Sequence, residues 1–317
     1  MSKKIVFFGT PDFAVPSLDA IVKAGYDVAA VVTATDKPAG RGHGMLQSAV
    51  KKYALEHGID VLQPEKLRDE AFVNRLREID ADLFVVIAFR MMPEVVWAMP
   101  RLGTFNLHAS LLPRYRGAAP INWAVINGDK ETGVTTFFLS HEIDTGAVID
   151  RVAIPISDAD DAGSVHDRLM ELGATLTVNT VNAIFAGTAK AIPQSEIAPG
   201  EVPTPAPKIF KETCHVDWNK PAESIHNLVR GLSPYPGAWS TLTADNVAPA
   251  DIKIFATAQT ELRSASEPGT VHISDGKLLV DTADRQLEIL RLQAPGKRRL
   301  EAADWLRGVR LTSPRFS

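Results

Sequence analysis

IVFFGTPDFAVPSLDAIVKAGYDVAAVV, residues 5–32, contains the pattern that decides the fold. Ile5–Phe8 is an apolar run closed by Gly9-Thr10-Pro11, which predicts a strand followed by a turn. Apolar residues then recur at helical spacing over Val15–Val22, and Val28–Val32 predicts a second strand. A strand, a helix and a strand in immediate succession are typical of a parallel α/β arrangement.

The same alternation of short apolar runs with amphipathic segments continues as far as Gly187. Further strands are predicted at Ile59–Leu62, Leu83–Ala88, Thr104–Leu107, Thr135–Leu139 and Ala147–Ile154. Helices are predicted at Ser48–His57, Lys66–Ile79, Ala118–Ile126 and Ser164–Phe185, and the glycine-rich segment Ala34–Leu46 predicts a long loop. The pattern favours an α/β fold with a largely parallel sheet.

The composition changes after Ala189. Five prolines fall between Pro193 and Pro207, which predicts an extended linker. A small, mostly-β domain with one helix at Ala222–Leu232 is predicted beyond it from the short runs Ile252–Ala256, Gly269–Ile273, Lys277–Val280 and Leu287–Leu292. We therefore expect a first domain in residues 1–190, a linker in residues 191–207 and a second domain in residues 208–317.

The composition excludes several classes of protein. The chain has 317 residues and a single cysteine, Cys214, which rules out an intrachain disulfide framework and a multi-cysteine metal site. The histidines lack metal-ligand spacing, so we expect no bound metal. No apolar run is long enough for a membrane helix, and the first residues lack the apolar core of a secretory signal. We therefore expect the protein to be located in the reducing cytoplasm.

Polar residues concentrate in NLHASLLPRYRG, residues 106–117. Strand alternation places Asn106 and His108 on the same side of a strand end, where ligands of open α/β sheets bind. An amide beside an imidazole suits acyl-type transfer, because the amide can stabilise an oxyanion and the imidazole can move a proton. The alternative is that Asn106 caps a turn and His108 is a hydrogen-bonded core residue.

Asp144 lies in a second polar segment, SHEIDTG, residues 140–146. It could orient and charge-stabilise His108 across neighbouring loops, or it could belong to an ordinary Asp-Thr-Gly turn. Spacing alone does not decide between the two. Residues 40–45 lack the last glycine of a dinucleotide-binding fingerprint, and no nucleophile elbow surrounds Ser110.

FNLHASLLPRYRGAAPI, residues 105–121, closely resembles the signature of the methionyl-tRNA formyltransferases, a folate-dependent family. GTPDF at residues 9–13, DKPAGRG at residues 36–42 and the segment 206–239 resemble the same family, so the similarity covers essentially the whole chain. The resemblance implies a Rossmann-like, mostly parallel N-terminal catalytic domain. It also implies a smaller, mostly-β C-terminal domain, an OB-like barrel that binds tRNA.

The family transfers a formyl group from 10-formyltetrahydrofolate to the methionine amino group of initiator Met-tRNA, in translation initiation. The resemblance therefore implies a monomeric enzyme with folate as co-substrate, no tightly bound cofactor and a triad of Asn106, His108 and Asp144. It implies folate contacts from Ser110, Leu111, Leu112, Pro113, Phe89, Arg90, Met91 and Glu142. It implies tRNA contacts from Arg41, Lys208, Lys297, Arg298 and Arg299.

Two places depart from the family pattern. Arg90 stands where the tRNA enzymes usually have a small residue, whereas related formyltransferases for nucleotide precursors carry an arginine. His43 and Gly44 replace expected lysines. Three alternatives stay open: a folate-dependent N-formyltransferase for an amino sugar or nucleotide precursor, a formyl-folate hydrolase, or a non-catalytic RNA-binding protein, although the intact triad disfavours the last.

Charge is unevenly distributed along this chain of formal net charge −4. Residues 1–205 have 19 Lys+Arg against 25 Asp+Glu, a net of −6, whereas residues 206–317 have 15 against 13, a net of +2. The C-terminal cations cluster at Lys297, Arg298, Arg299, Arg307, Arg310 and Arg315. A solvated surface and a phosphate-contact patch explain this cluster equally well from sequence, and the resemblance favours the patch. Overall acidity is therefore no argument against a nucleic-acid partner.

Overall fold

The computed structural model describes residues 3–38 and 45–317. The chain forms two compact units that do not follow chain order. The first unit contains the described residues up to Gly117 together with Thr132–Ile154 and His166–Pro205. The second contains Ala118–Glu131, Pro155–Val165 and Ala206–Ser317. The sequence-based boundaries at residues 190 and 208 stay a prediction.

The elements are numbered in chain order. The strands are β1 (Lys4–Gly9), β2 (Asp27–Val32), β3 (Lys37–Pro38), β4 (Met45–Leu46), β5 (Asp60–Leu62), β6 (Leu83–Ile87), β7 (Thr104–His108), β8 (Arg116–Gly117), β9 (Glu131–Phe138), β10 (Val148–Pro155), β11 (Pro205–Ala206), β12 (Ala238–Ala244), β13 (Val247–Arg263), β14 (Val271–Ser274), β15 (Lys277–Asp281), β16 (Arg285–Gln293), β17 (Leu300–Glu301) and β18 (Arg315–Phe316). The helices are α1 (Val15–Lys23), α2 (Ala49–Glu56), α3 (Glu70–Ile79), α4 (Glu94–Trp97), α5 (Pro120–Ile126), α6 (Ala162–Ala186), α7 (Gln194–Ile197), α8 (Ala222–Gly231) and α9 (Ala302–Arg307). Among the described residues, no helix has the length and apolar character needed to span a membrane.

The first unit is built on a seven-stranded sheet in the order β10-β9-β7-β6-β1-β2-β5. Strands β7, β6, β1, β2 and β5 run parallel to one another, and β9 runs antiparallel to β7. The mostly parallel α/β sheet predicted from the sequence is therefore confirmed. The chain leaves β1 toward β2 on one side and later returns to β6 on the other side, so the strand order reverses between β1 and β6.

The apolar run that opens the chain is buried on both faces of this sheet. Val6 and Phe8 belong to a core cluster that includes Leu76 of α3, while Ile5 and Phe7 are buried on the alternate positions. A strand covered on both sides needs such a continuous apolar run. Gly9 closes the run because an added Cβ would lie 2.9 Å from the Cβ of Ala14, in the turn that leads to α1.

Among the predicted elements of the first unit, one helix begins later than expected and one loop contains paired strands. The helix expected from Lys66 begins at Glu70, because the Asp69 carboxylate accepts hydrogen bonds from the N–H groups of the first turn and caps it. The predicted loop Ala34–Leu46 contains the short strands β3 and β4, which pair antiparallel. Residues 39–44, including Arg41, lie outside the described residues.

The second unit is an antiparallel sheet in the order β14-β15-β16-β13-β12-β18, with β17 paired to β16. The outer strands approach each other through an antiparallel bridge between Thr270 and Arg315, and the N–H of Phe316 donates to the carbonyl of Gly269 at 2.9 Å. Ile225 and Val229 of α8 are part of its core. The predicted mostly-β domain is thus confirmed as a nearly closed barrel, although the run expected at Ile252–Ala256 is only the middle of the 17-residue β13.

Candidate active site

The predicted polar pair lies beside the point where the strand order reverses. Asn106 pairs with Val86 of β6 in register, and His108 is the last residue of β7, opposite Thr135 of β9. The carboxyl ends of β1, β6 and β7 lie along one edge of the sheet because these strands are parallel. Ligands of open α/β sheets bind at such an edge.

Asn106 and His108 project from the same face of β7. They are two residues apart on a strand, which places them roughly 7 Å apart along it. Asn106 is half-buried, and its side-chain amide forms no hydrogen bond with another residue in the described part of the chain. The imidazole of His108 is 7% exposed. The site therefore presents an amide donor without a structural partner beside a nearly buried imidazole.

The imidazole of His108 is fixed by a backbone group. Its Nε2 atom lies 2.8 Å from the carbonyl oxygen of Tyr115. A carbonyl only accepts hydrogen bonds, so Nε2 carries a proton and Nδ1 is the nitrogen left for chemistry. Nδ1 lies 3.8 Å from Oδ2 of Asp144, which is too long for a hydrogen bond but close enough for an ion pair with a protonated imidazole.

The carboxylate of Asp144 is held by the backbone of a different segment. Its Oδ2 atom accepts a hydrogen bond from the N–H of Gly117 at 2.9 Å. The carbonyl of Asp144 accepts a second one from Nε2 of Gln194 at 2.8 Å. Asp144 has a φ of 54° and Tyr115 a φ of 60°, so both partners of His108 adopt the left-handed conformation that non-glycine residues rarely adopt. Such conformations cluster at functional sites.

The segment 110–113, for which the resemblance implied folate contacts, is mostly packed inward. Three of its four side chains are buried, and only Leu111 is partly exposed. The hydroxyl of Ser110 donates to the carbonyl of Arg114 at 2.6 Å. The hydroxyl of Thr135 donates to the Ser110 carbonyl at 2.6 Å and thereby anchors the segment against β9.

The turn after β6 is braced by Arg90, the residue that departs from the family pattern. Its guanidinium donates to the carbonyls of Pro64 and Glu65 in the loop after β5 and lies 5.9 Å from the ring centroid of Phe89. Met91, the next residue, is 73% exposed. The arginine therefore joins two loops at the carboxyl edge of the sheet, and the apolar side chain of Met91 is left open to a ligand.

The turn that carries Asp144 also contains Glu142, a second predicted site residue, which is exposed. The backbone carbonyl of Glu142 accepts a hydrogen bond from the hydroxyl of Thr145 at 3.1 Å, which closes the turn, and its carboxylate faces solvent. Gly146 is required in this turn, because an added Cβ would lie 1.7 Å from the carbonyl oxygen of Phe138.

The basic residues predicted to bind tRNA belong to the second unit, apart from Arg41. Lys208, Lys297, Arg298 and Arg299 are all exposed. Arg299 stacks over Phe255, with 3.7 Å from Cζ to the ring centroid, and donates to the carbonyl of Pro234 at 2.6 Å. Two other cations of the C-terminal basic cluster form ion pairs: Arg307 with Asp304 and Arg315 with Glu267. Lys297 and Arg298 form no ion pair with any residue that the structure describes.

Sequence reasoning missed three groups that build this site: the Tyr115 carbonyl, the Gly117 N–H and the Gln194 side chain. Backbone groups have no residue-type signature, so the first two could not be found from the sequence. Gln194 follows Pro193 at the start of α7, and a proline before a polar residue was the only signal that a helix begins there. No group of three or more metal-ligating side chains occurs in residues 3–38 and 45–317.

Comparison with known proteins covers both units. The formyl transferase family model matches residues 3–181, and the model of the formyl transferase C-terminal domain matches residues 208–310. A curated methionyl-tRNA formyltransferase of Bacteroides fragilis is 57% identical over 311 residues, which are 98% of this chain and 96% of that protein.

Two solved structures share the fold at low identity. HypX from Aquifex aeolicus, in complex with tetrahydrofolic acid, has a TM-score of 0.63 and 17% identity, covering 95% of this chain and 46% of that one. An N-formyltransferase from Helicobacter canadensis, in complex with folinic acid and dTDP-3-aminofucose, has a TM-score of 0.64 and 20% identity, covering 93% of this chain and 100% of that one.

Proposed function

The chain belongs to the methionyl-tRNA formyltransferase family, and we propose that it transfers the formyl group of 10-formyltetrahydrofolate to the amino group of methionine on initiator Met-tRNA. The observation that carries this proposal is 57% identity to a curated methionyl-tRNA formyltransferase over nearly the full length of both chains. The protein is thus a one-carbon transferase of translation initiation, and we place it in the cytoplasm.

The reaction needs an oxyanion stabiliser and a proton acceptor. The methionyl amine attacks the formyl carbon, and the carbonyl oxygen becomes an oxyanion to which the uncommitted amide of Asn106 donates. The amine proton passes to Nδ1 of His108, the nitrogen that is not bound to Tyr115. The oxyanion then collapses and the bond from the formyl carbon to the folate nitrogen breaks, and that nitrogen takes up the proton held by His108, which returns the imidazole to its neutral form.

Asp144 acts on the charge that this step creates. A proton gained at Nδ1 makes His108 an imidazolium, and the Asp144 carboxylate at 3.8 Å stabilises that cation. The carboxylate is held in place by the backbone N–H of Gly117, which donates to Oδ2 at 2.9 Å. In this mechanism Asn106 stabilises the oxyanion, His108 transfers the proton and Asp144 stabilises the charge on His108.

We assign folate binding to the region beside His108 and Asp144, for which three segments carry the predicted contacts: the turn after β6, the segment after β7 and the turn after β9. Leu111 and Met91 offer exposed apolar surface to the ring system, and Phe89 and Arg90 shape the turn beside it. The buried residues Ser110, Leu112 and Pro113 would act through the backbone they support. Glu142 presents an exposed carboxylate in the turn after β9, which also carries Asp144.

We assign tRNA contacts to Arg41 and to exposed cations of the barrel. Lys297, Arg298 and Arg299 share the turn between β16 and β17, and Lys208 precedes the barrel. Cations that no carboxylate neutralises are free to replace phosphate counterions, which is the main source of nucleic-acid affinity. Arg41 suits phosphate and base-edge contacts through its planar guanidinium.

The competing acceptors are an amino sugar, a nucleotide precursor and water. The test is a formyl-transfer assay with purified full-length protein and 10-formyltetrahydrofolate, offered charged initiator tRNA, a nucleotide-linked amino sugar, glycinamide ribonucleotide or buffer alone. We expect formyl-methionyl-tRNA as the main product. Turnover on a sugar, on the ribonucleotide or on water without formylation of Met-tRNA would exclude the proposal.

A further inference from the structure

We infer that Gln194 is a positioning residue of the formyl-transfer reaction: its side-chain amide fixes the turn of Asp144, and through it the carboxylate that faces His108. The inference rests on the proposed function, because it assigns a role through the proposed catalytic pair. Gln194 is only 5% exposed, although it lies in the proline-rich segment predicted to be a linker.

The amide of Gln194 uses both its donor and its acceptor. Nε2 donates to the carbonyls of Asp144 at 2.8 Å and Gly146 at 3.0 Å. Oε1 accepts from Arg116, at 2.6 Å from Nη2 and 3.1 Å from Nε. Two carbonyls demand donors and a guanidinium demands an acceptor, and the primary amide supplies both through its two N–H bonds and its carbonyl oxygen. A carboxylate or an ammonium at this position would leave one side unsatisfied.

These bonds connect the two segments that meet at the catalytic carboxylate. Arg116 directly precedes Gly117, whose N–H donates to Oδ2 of Asp144. Gln194 therefore joins the donor segment to the acceptor turn, and the three form a closed set of hydrogen bonds. The left-handed conformation of Asp144 is unfavourable for a non-glycine residue, so it persists only while neighbouring contacts hold it.

Gln194 lies in a segment of the first unit that hydrogen bonds hold in place. Ile192, two residues before it, exchanges two backbone hydrogen bonds with Val148, each of 2.8 Å. Three residues after it, the carbonyl of Ile197 accepts from the Arg151 guanidinium at 3.3 Å. The segment is thus anchored on both sides of Gln194, as a residue that positions another must be.

The test compares Gln194→Ala and Gln194→Glu with wild type in steady-state formylation of Met-tRNA. The glutamate keeps the acceptor for Arg116 but removes the donor to Asp144 and Gly146. We expect kcat to fall about tenfold or more in both variants, with KM for folate and tRNA within about twofold, because small displacements of a catalytic group mainly cost turnover. A folded variant with wild-type kcat would overturn the inference.

Gln286→Ala is the matched control. Gln286 is also a buried glutamine, 8% exposed, and its amide donates to Asp281 in the barrel. We expect this variant to lose thermal stability and keep kcat. An equal loss of kcat in the control would mean that any buried glutamine has this effect, and it would overturn the specific role of Gln194.

A double-mutant cycle separates positioning from general structural support. If Gln194 acts through the carboxylate, adding Gln194→Ala to Asp144→Ala lowers kcat by less than about twofold further. Multiplicative effects would overturn the inference. The wild-type rate on Met-tRNA, measured in the same series, tests the proposed function by itself. An inactive wild type refutes that function. An active wild type whose Gln194 variants are equally active refutes only the positioning role.

Discussion

Nδ1 of His108 lies 3.8 Å from Oδ2 of Asp144, too far for a hydrogen bond, so the carboxylate can act on the ring through charge once the imidazole gains a proton. The ring is oriented instead by the hydrogen bond that its Nε2–H donates to the Tyr115 carbonyl. In the proposed mechanism, orientation of the imidazole and stabilisation of its charge are separate tasks, performed by different groups. Substitutions can therefore remove one task and leave the other.

Asp144→Asn removes the charge that faces His108 but keeps an oxygen that can accept from Gly117. We expect kcat to fall roughly 10- to 100-fold, the effect of losing a few kcal/mol of interaction with a cation about 4 Å away in a partly buried site. KM for both substrates should change less than about threefold. Steady-state kinetics check this, and wild-type kcat in the asparagine variant would show that Asp144 acts only as a hydrogen-bond acceptor.

Gly146→Ala should damage the turn that carries Asp144. The added Cβ would lie 1.7 Å from the Phe138 carbonyl oxygen, so strand β9 or the turn must move. We expect a loss of about 2 kcal/mol or more in the free energy of unfolding, with a matching loss of activity. Gly308→Ala is the control, since its nearest contact, the Trp305 carbonyl, would be 3.7 Å away. Equal melting temperatures of the two variants would contradict the argument.

The turn between β16 and β17 should matter for tRNA and not for chemistry. Replacing Lys297 and Arg298 together by alanine should raise KM for Met-tRNA. It should also make the tRNA association constant less dependent on salt concentration, by the amount expected for the loss of roughly two phosphate contacts. The kcat should stay near wild type. Arg307→Ala is the control because its guanidinium already pairs with Asp304. A control that raises KM as much as the double variant would remove the turn from the proposed interface.

The barrel should lose stability in acid through one buried carboxyl. Burial raises the pKa of Asp281, but hydrogen bonds from His272 at 2.7 Å and Gln286 at 3.0 Å outweigh it, so the pKa lies below its ordinary value. Its contribution is therefore present above the unfolded-state pKa of about 3.9 and disappears as pH falls through the lower folded-state pKa.

Thermal melting of wild type and Asp281→Asn checks this acid dependence. The gap in melting temperature between the two proteins should be wide at about pH 5 and narrow toward about pH 3. A gap that stays constant over this range would show that the carboxylate form of Asp281 contributes nothing.

Much of the fold was predictable because burial leaves a pattern in the sequence. The apolar run Ile5–Phe8 is buried on both faces as expected, and the mostly-β domain follows from its short alternating runs. The start of α3 was missed because the Asp69 cap outweighs the apolar spacing before it. The closeness of residues 108 and 144 could not be read from spacing, since the sheet brings their loops together.

Other parts of the candidate site leave no sequence pattern at all. The acceptor on His108 is a backbone carbonyl, and the donor on Asp144 is a backbone N–H. Gln194 lies among prolines whose density predicts an extended linker, yet it belongs to the first unit and its side chain is buried there. Only three-dimensional contacts separate this glutamine from a solvated one.

The most direct measurement is the single-turnover rate of formyl transfer from 10-formyltetrahydrofolate to initiator Met-tRNA for wild type, Asn106→Ala and His108→Ala. We expect formyl-methionyl-tRNA with wild type and rates lower by roughly 100-fold or more in each variant, with folding unchanged. No formylation by wild type, or a His108→Ala protein that formylates at the wild-type rate, would contradict it.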